Sequence, residues 1–169
     1  MKIQSTFQKV GTGLVFGVCA VALSGCTVPF LNENAQADQR LTEVQSTFVE
    51  VDNLVAEAET LSRDILNSTL TTEVMSRKES SAEEMEDRIS DMEENLAGKQ
   101  AIFEEVQTLN LSQDYRDGKF ARTMEAYDKR VELLDLADES VFRGKSLASA
   151  VVEYESGVSR FENSLKLFE

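Results

Sequence analysis

Histidine and tryptophan are absent from this 169-residue sequence, and proline occurs only once. Without histidine the chain lacks the usual general base near neutral pH, the Ser-His-Asp and Cys-His nucleophile systems, and the common zinc sites. No G-x-x-x-x-G-K-[ST] phosphate-binding loop occurs either. We therefore expect no catalytic residues, no metal and no other cofactor. A carboxylate-based enzyme is the remaining catalytic alternative, but the acidic pairs fall on faces that are predicted to be solvated.

Cysteine is nearly absent as well, since the chain contains only Cys19 and Cys26. Cys19 lies in an apolar run of ten residues, Leu14–Leu23, and the only charges before this run are Lys2 and Lys9. Ten residues match the roughly 7–15 of a signal-peptide core and fall short of the roughly 20 that span a bilayer. This layout predicts a secretory signal peptide over residues 1–25.

The apolar run ends in the tetrapeptide Leu23, Ser24, Gly25, Cys26. This tetrapeptide resembles the lipobox of bacterial lipoproteins. The resemblance implies transfer of diacylglycerol to the Cys26 thiol and cleavage between Gly25 and Cys26. Two or three acyl chains, at about 0.8 kcal/mol per buried methylene, are sufficient for stable anchoring. Because Cys19 would leave with the signal peptide, the mature chain could form no internal disulfide bond.

A lipid on Cys26 predicts that the protein lies on the extracytoplasmic side of the cell membrane. Thr27, rather than aspartate, follows the cysteine. We expect the outer membrane if the source has two membranes, and the outer leaflet of the plasma membrane if it has one.

Basic residues are scarce in the predicted mature chain, residues 26–169. Without Lys2 and Lys9 the 17 basic residues become 15, against 31 acidic residues, which gives a formal charge of −16. Such a charge repels nucleic acid and anionic lipid headgroups. We therefore expect no nucleic-acid partner and contact with the membrane only through the N-terminal lipid. Direct adhesion to anionic wall polymers would need bridging divalent cations.

The scarcity of proline and glycine favours long helices over sheets. Residues 26–38 contain turn-forming Pro29, Asn32 and Asn34 and no apolar period, so we interpret them as the acylated cysteine and a tether. Residues 39–169 are the predicted helical domain. Apolar steps of three and four residues predict helices over about 35–68 and 72–108. The stripe of the first is Leu41, Val44, Phe48, Val51, Val55, Ala58 and Ile65, and that of the second is Ala82, Met85, Ile89, Met92, Leu96, Phe103 and Val106.

The break Asn110–Gly118 separates these helices from two further apolar stripes, which do not share one frame. The third stripe is Phe120, Met124, Tyr127, Val131 and Leu134, and the fourth is Leu147, Val151, Tyr154, Val158, Phe161, Leu165 and Phe168. A turn near Asp138–Ser140 would reconcile the two frames. The sequence thus predicts an all-α, four-helix up-and-down bundle, and the alternative is a three-helix bundle with a long third helix.

Three segments resemble a family of Gram-positive lipoproteins described as cell-wall-binding proteins. They are LVAEAETL (Leu54–Leu61), RKESSAEEMEDRI (Arg77–Ile89) and MEAYDKRVELLDLADES (Met124–Ser140), with Tyr127 in the third. The resemblance implies an acylated four-helix bundle with no catalytic residues. Members of the family tend to be rich in lysine, whereas this chain is acidic.

These observations favour a non-catalytic, membrane-tethered helical module that binds or spaces components of the cell envelope. Its partner would be the cell wall or an envelope protein. The alternative is an envelope adaptor or chaperone that shelters a client helix, since Met75, Met85 and Met92 could form an adaptable apolar stripe. At helical spacing the three methionines are more simply core residues. The oligomeric state is left open.

Overall fold

The computed structural model describes the backbone of residues 29–166 and the side chains of residues 33–164 and 166. Every regular element in this range is helical, as the sequence predicts. In chain order the elements are α1 (Pro29–Asn67), α2 (Thr72–Gly98), α3 (Gln100–Thr108), α4 (Gln113–Tyr115), a π-helical segment (Arg116–Phe120) and α5 (Ala121–Leu165). None of these helices is both long and apolar enough to cross a lipid bilayer.

Helix α1 begins at Pro29, inside the segment that was expected to be a tether. Proline is well suited to the first turn of a helix, where its missing N–H has no intrahelical partner. The Asn34 side chain then donates to the Ser112 hydroxyl at 3.0 Å and accepts from the Ser112 N–H at 3.2 Å. Ala37 is fully buried. These tertiary contacts explain why residues that lack an apolar period are nevertheless helical.

Side-chain caps mark the starts of the helices at Thr72 and Gln113. The Thr71 hydroxyl accepts a hydrogen bond from the Val74 N–H at 3.4 Å, and the Ser112 hydroxyl accepts one from the Tyr115 N–H at the same distance. Such side-chain caps satisfy backbone donors that have no partner within the helix. The second predicted helix is interrupted for one residue, because α2 ends at Gly98 and α3 begins after Lys99.

The long helices pack side by side, and α1 runs parallel to α5. Gln45 of α1 donates to the Thr123 hydroxyl at 3.2 Å. Seven residues further along both helices, Asp52 accepts a hydrogen bond from Arg130 at 2.6 Å. Helix α2 is antiparallel to α5, since Lys145 pairs with Glu86 at 2.7 Å and the Thr72 N–H donates to Glu155 at 2.8 Å. The described part of the chain is therefore an arrangement of three long helical segments.

The predicted turn near Asp138–Ser140 is wrong, because α5 continues through these residues without a break. Helix α5 buries a stripe of mostly small residues there, which also has steps of three and four: Leu134, Ala137, Val141, Gly144 and Ala148. Continuing the third apolar stripe by steps of four and three would place Asp138 and Lys145 toward the core, and the turn was predicted in order to avoid this. In the structure Asp138 is exposed, and α5 is the single long helix of the three-helix alternative.

The fourth predicted stripe is also not the core stripe it was expected to be. Tyr154 is 73% exposed and Phe161 is 64% exposed. Helix α1 ends at Asn67 and α2 begins at Thr72, which contacts Glu155. The last turns of α5 therefore extend beyond both neighbouring helices, and their apolar residues find no surface on which to pack within the described residues.

Lys78 of α2 and Lys99, the residue that follows α2, are both partly buried beside α1. The Lys78 and Lys99 side chains are only 24% and 21% exposed. Lys78 pairs with Asp64, and Lys99 pairs with Glu43 at 2.9 Å, both on α1. Their aliphatic stems cover apolar surface while the ammonium groups reach acidic partners at the rim.

Candidate functional site

The predicted lipidation site lies outside the described residues, and so does the predicted cleavage site. Leu23, Ser24, Gly25 and Cys26 all precede Pro29, the first residue of α1. The structure therefore leaves the lipobox, the signal peptide and the acylation of Cys26 as predictions from the sequence.

A groove of about 620 Å³ lies between α3 and α5. Four apolar or aromatic side chains form its floor: Phe103, Met124, Tyr127 and Val131. Four carboxylates line its rim, and we therefore call this feature the acidic groove. The rim carboxylates are Glu104, Asp128, Glu132 and Asp135. The three on α5 are spaced at i, i+4 and i+7, and this spacing places them on one face of the helix.

Phe103 fixes the floor of the groove. It is 4% exposed, and its ring packs edge to face against Phe120 at a centroid distance of 6.0 Å and against Tyr127 at 5.2 Å. Edge-to-face contacts of this kind favour one relative orientation of the rings. Helix α3 contributes little besides Ile102, Phe103 and Val106 to the core, so these aromatic contacts are a main link between α3 and α5.

Tyr127 links the same floor to the end of α2. Its hydroxyl donates to the Leu96 carbonyl at 3.1 Å, and the Lys99 N–H also donates to this carbonyl at 3.0 Å. Leu96 lies in the last turn of α2, where carbonyl groups lack intrahelical partners. Burial, and then the negative charge of Asp128, raises the pKa of the Tyr127 hydroxyl, so this group stays protonated and remains a donor.

The rim carboxylates have no basic partner in the part of the chain that the structure describes. Glu104, Asp128, Glu132 and Asp135 take part in none of the salt bridges found there, and no lysine or arginine lines the groove. All four are exposed to solvent. They are therefore not the buried pair in a cleft that a carboxylate-based glycosidase uses.

The basic residues next to Asp128 in the sequence do not neutralise it. Lys129 pairs with Glu125 at 2.7 Å, and Arg130 reaches across to Asp52 of α1 while its guanidinium lies 4.3 Å from the Phe48 ring centroid. Asp128 therefore keeps its charge unpaired although two basic residues follow it in the sequence. The helical spacing of the three α5 acids was the signal that could have revealed the rim.

The acidic character of the groove extends toward α2 at Glu93. Burial raises the pKa of the Glu93 carboxyl, and the nearby charges of Asp138 and Asp135 raise it further. Glu93 of α2 therefore lies near two negative charges of α5. One of them, Asp135, also belongs to the rim of the acidic groove. A cation bound beside Asp135 would relieve this repulsion.

Floor and rim together suit a positively charged ligand that also carries apolar surface. Aromatic faces and carboxylates both attract lysine or arginine side chains, and an amphipathic helix can lay an apolar stripe into a groove. The methionines do not form a separate stripe of this kind. Met75 is fully buried and Met85 is 7% exposed, while Met92 packs partly buried against the core.

The comparisons with known proteins returned nothing that matches this chain, whether among protein-family models, curated proteins or solved structures.

Proposed function

We propose that this chain is a membrane-anchored extracytoplasmic lipoprotein whose helical bundle is a non-catalytic module that binds a basic segment of a cell-envelope partner. The acidic groove is the observation that carries the binding role. The anchoring role is supported by the sequence Leu23–Cys26 and the apolar run before it.

The charge of the groove decides which class of partner fits. Four exposed carboxylates above an aromatic floor favour cationic groups and disfavour nucleic acid, anionic lipid and anionic wall polymers. A basic protein segment satisfies both features, because its ammonium or guanidinium groups can reach the rim while its apolar side chains contact Phe103 and Tyr127.

The position of the groove supports the combination of anchor and binding module. Helix α1 begins only three residues after Cys26, and its 39 residues span about 58 Å at 1.5 Å per residue. Asp52 of α1 lies level with Arg130 of α5, so the groove around residues 124–135 lies beside the middle of α1, about 35 Å from the start of that helix. A lipid on Cys26 would hold the groove within reach of partners at the membrane surface.

The anchoring role predicts that Cys26→Ala abolishes incorporation of radiolabelled palmitate and moves the full chain from the membrane fraction to the soluble fraction. The physical reason is that the chain's acidic surface does not hold it to the membrane without acyl chains. Cys19→Ala is the matched control, because it removes the other cysteine and is expected to leave both readouts unchanged. Equal labelling of the wild type and Cys26→Ala, with equal membrane retention, would refute the anchor.

The binding role predicts that neutralising the rim weakens the binding of a lysine-rich amphipathic peptide. The triple variant Asp128→Asn, Glu132→Gln, Asp135→Asn should lose about tenfold in affinity. Three exposed charge pairs at roughly 0.2–1 kcal/mol each amount to roughly 0.6–3 kcal/mol, and tenfold corresponds to about 1.4 kcal/mol. Fluorescence anisotropy with labelled peptide measures the change. Binding should also weaken at high salt, because salt screens the charges of the rim.

A second triple variant separates the groove from the net charge of the protein. Glu84→Gln, Asp87→Asn and Glu94→Gln remove three exposed carboxylates of α2 that take part in none of the described salt bridges. We expect this control to weaken peptide binding by less than about threefold, because its charges are more distant from the bound peptide. Equal losses in the two triple variants would show that the peptide responds to overall charge and not to the groove.

A further inference from the structure

The far end of α5 exposes a stripe of regularly spaced apolar residues. Leu147, Tyr154, Val158 and Phe161 are 36%, 73%, 39% and 64% exposed, and Val151 between them is partly exposed. Beyond Glu155, α5 has passed the ends of both α1 and α2. Large exposed apolar stripes of this kind mark interaction surfaces.

The stripe has a strict heptad spacing of four and three residues from Leu147 to Phe161, and the sequence continues it at Leu165 and Phe168. Valine occupies two successive a positions, Val151 and Val158, while leucine, tyrosine and phenylalanine occupy the d positions. A narrow a/d seam is typical of coiled coils, and β-branched residues at a favour two strands.

The exposed apolar surface continues down the bundle on the same face of α5. Leu133 and Leu136 are 40% and 54% exposed, and Leu66 of α1, which lines a shallow groove with Leu136, is 69% exposed. From Leu133 to Phe161 this face runs for about 42 Å at 1.5 Å per residue. It is therefore longer than the free end of α5 alone.

We propose that this face is the interface of a parallel homodimer in which the α5 helices of two copies form a two-stranded coiled coil from Leu147 onward. The heptad seam is self-complementary, so a second copy supplies the matching knobs and holes.

The residues beside the seam favour the parallel orientation. The e positions carry Ala148, which is buried in the bundle, and then Glu155 and Glu162, whereas the g positions carry Ala150, Gly157 and Ser164. In a parallel pair each e residue faces a g residue of the other copy, so each glutamate meets a small neutral residue. An antiparallel pair would bring e positions together and place glutamates opposite one another, which is unfavourable.

The parallel orientation also agrees with the predicted anchor, and this point alone rests on the proposed function. Because α1 runs parallel to α5, a parallel dimer places both Pro29 ends on the same side of the assembly. Both acyl chains could then enter one membrane, whereas an antiparallel dimer would direct the two anchors to opposite sides.

Cysteine cross-linking tests the register without the anchor. Residues 27–169 contain no cysteine, and the buried residues of the described range lie between Ala37 and Ala148, so Thr27–Glu169 retains the whole described core. Leu147→Cys, Tyr154→Cys and Phe161→Cys, made separately, should each form a disulfide-linked dimer under mild oxidation, because each d residue faces its own counterpart. Glu153→Cys, at a c position, is the control and should stay largely monomeric on denaturing gels.

Sedimentation velocity on the same soluble chain measures the dimer directly. Val158→Glu should weaken dimerisation by about 100-fold or more, since an unpaired carboxylate would be buried in each copy. Ser159→Glu adds the same charge at the neighbouring b position and should leave the dimer intact. Circular dichroism should show equal thermal unfolding of the two variants at concentrations below dimerisation, because both positions lie beyond the level of Thr72, where α2 begins.

A wild-type chain that stays monomeric in sedimentation velocity while its concentration is raised 100-fold would overturn the proposal. So would cross-linking at only one of the three d positions, which indicates an antiparallel or staggered pair. The dimer is tested on Thr27–Glu169, which lacks Cys26, whereas the lipid anchor is tested by palmitate labelling of the full chain. Failure of the dimer and failure of the anchor can therefore be told apart.

Discussion

The Asp138→Pro substitution is expected to lower the free energy of unfolding by about 3 kcal/mol or more. Position 138 lies in the middle of α5 and its side chain is exposed, so the effect comes from the backbone. Proline removes the hydrogen bond from the residue 138 N–H to the Leu134 carbonyl, and its ring clashes with that carbonyl. The resulting kink would disturb the packing of Leu134 and Val141, which are almost completely buried.

Asp138→Ala is the matched control for this prediction. Alanine has the best helix propensity and removes a negative charge from the neighbourhood of Glu93, so this variant should be as stable as the wild type or slightly more stable. Urea unfolding followed by circular dichroism measures both variants. A cost below about 1 kcal/mol for Asp138→Pro would indicate a chain that turns near residues 138–140, because proline is tolerated in such turns.

The second large effect is expected for Phe103→Ala, which should cost about 3–5 kcal/mol of stability. Phe103 is 4% exposed and packs edge to face on both Phe120 and Tyr127. Its removal leaves a cavity between α3 and α5 that the surrounding backbone can only partly fill. Because α3 has nine residues, the loss of its central aromatic contact should also loosen this helix.

Phe103→Leu provides the comparison, since it keeps an apolar side chain of similar reach and should cost less than about 1.5 kcal/mol. Hydrogen exchange should show faster exchange for the α3 amides in Phe103→Ala than in Phe103→Leu, with α1 amides affected less. The rim carboxylates are untouched in both variants, so a peptide-binding loss confined to Phe103→Ala would show that the floor contributes to recognition. Equal stability of the two variants would contradict the role given to the aromatic cluster.

The first two helices show how far apolar spacing alone predicts this fold. Leu41, Val44, Ile89 and Leu96 are all nearly or fully buried, as their steps of three and four residues indicate. Each of these positions carries a large apolar side chain, and polar residues separate them, so the periodicity has one interpretation. The cap at Thr71 was predictable for the same reason, because its hydroxyl serves a local N–H.

The middle of α5 shows why the prediction failed there. Ala137, Gly144 and Ala148 face the core but are too small to stand out as an apolar stripe. A Cβ atom on Gly144 would lie only 3.0 Å from Cδ1 of Ile65, so the close approach of α1 is what makes a small residue suitable. This requirement depends on the neighbouring helix and is invisible in the local spacing.

The sequence likewise predicts one part of the acidic groove and not the other. The spacing of Asp128, Glu132 and Asp135 is readable from the sequence and predicts one acidic face. Their lack of basic partners is not readable, because Arg130 could have remained beside Asp128 and instead crosses to Asp52. The aromatic floor likewise requires α3 to fold back onto α5.

The sequence by itself determined an all-helical chain, the positions of the first two apolar stripes, the start of the second helix and the expectation of a lipid on Cys26. These features depend on neighbouring residues along the chain, where steric and hydrogen-bonding rules act over one or two turns. Only the tertiary structure decided that α5 is continuous, that its far end is uncovered and that four carboxylates surround an aromatic groove. Those features depend on where the neighbouring helices end and on which of their side chains contact α5. Such contacts join residues about 80 positions apart in the sequence, as Asp52 and Arg130 show.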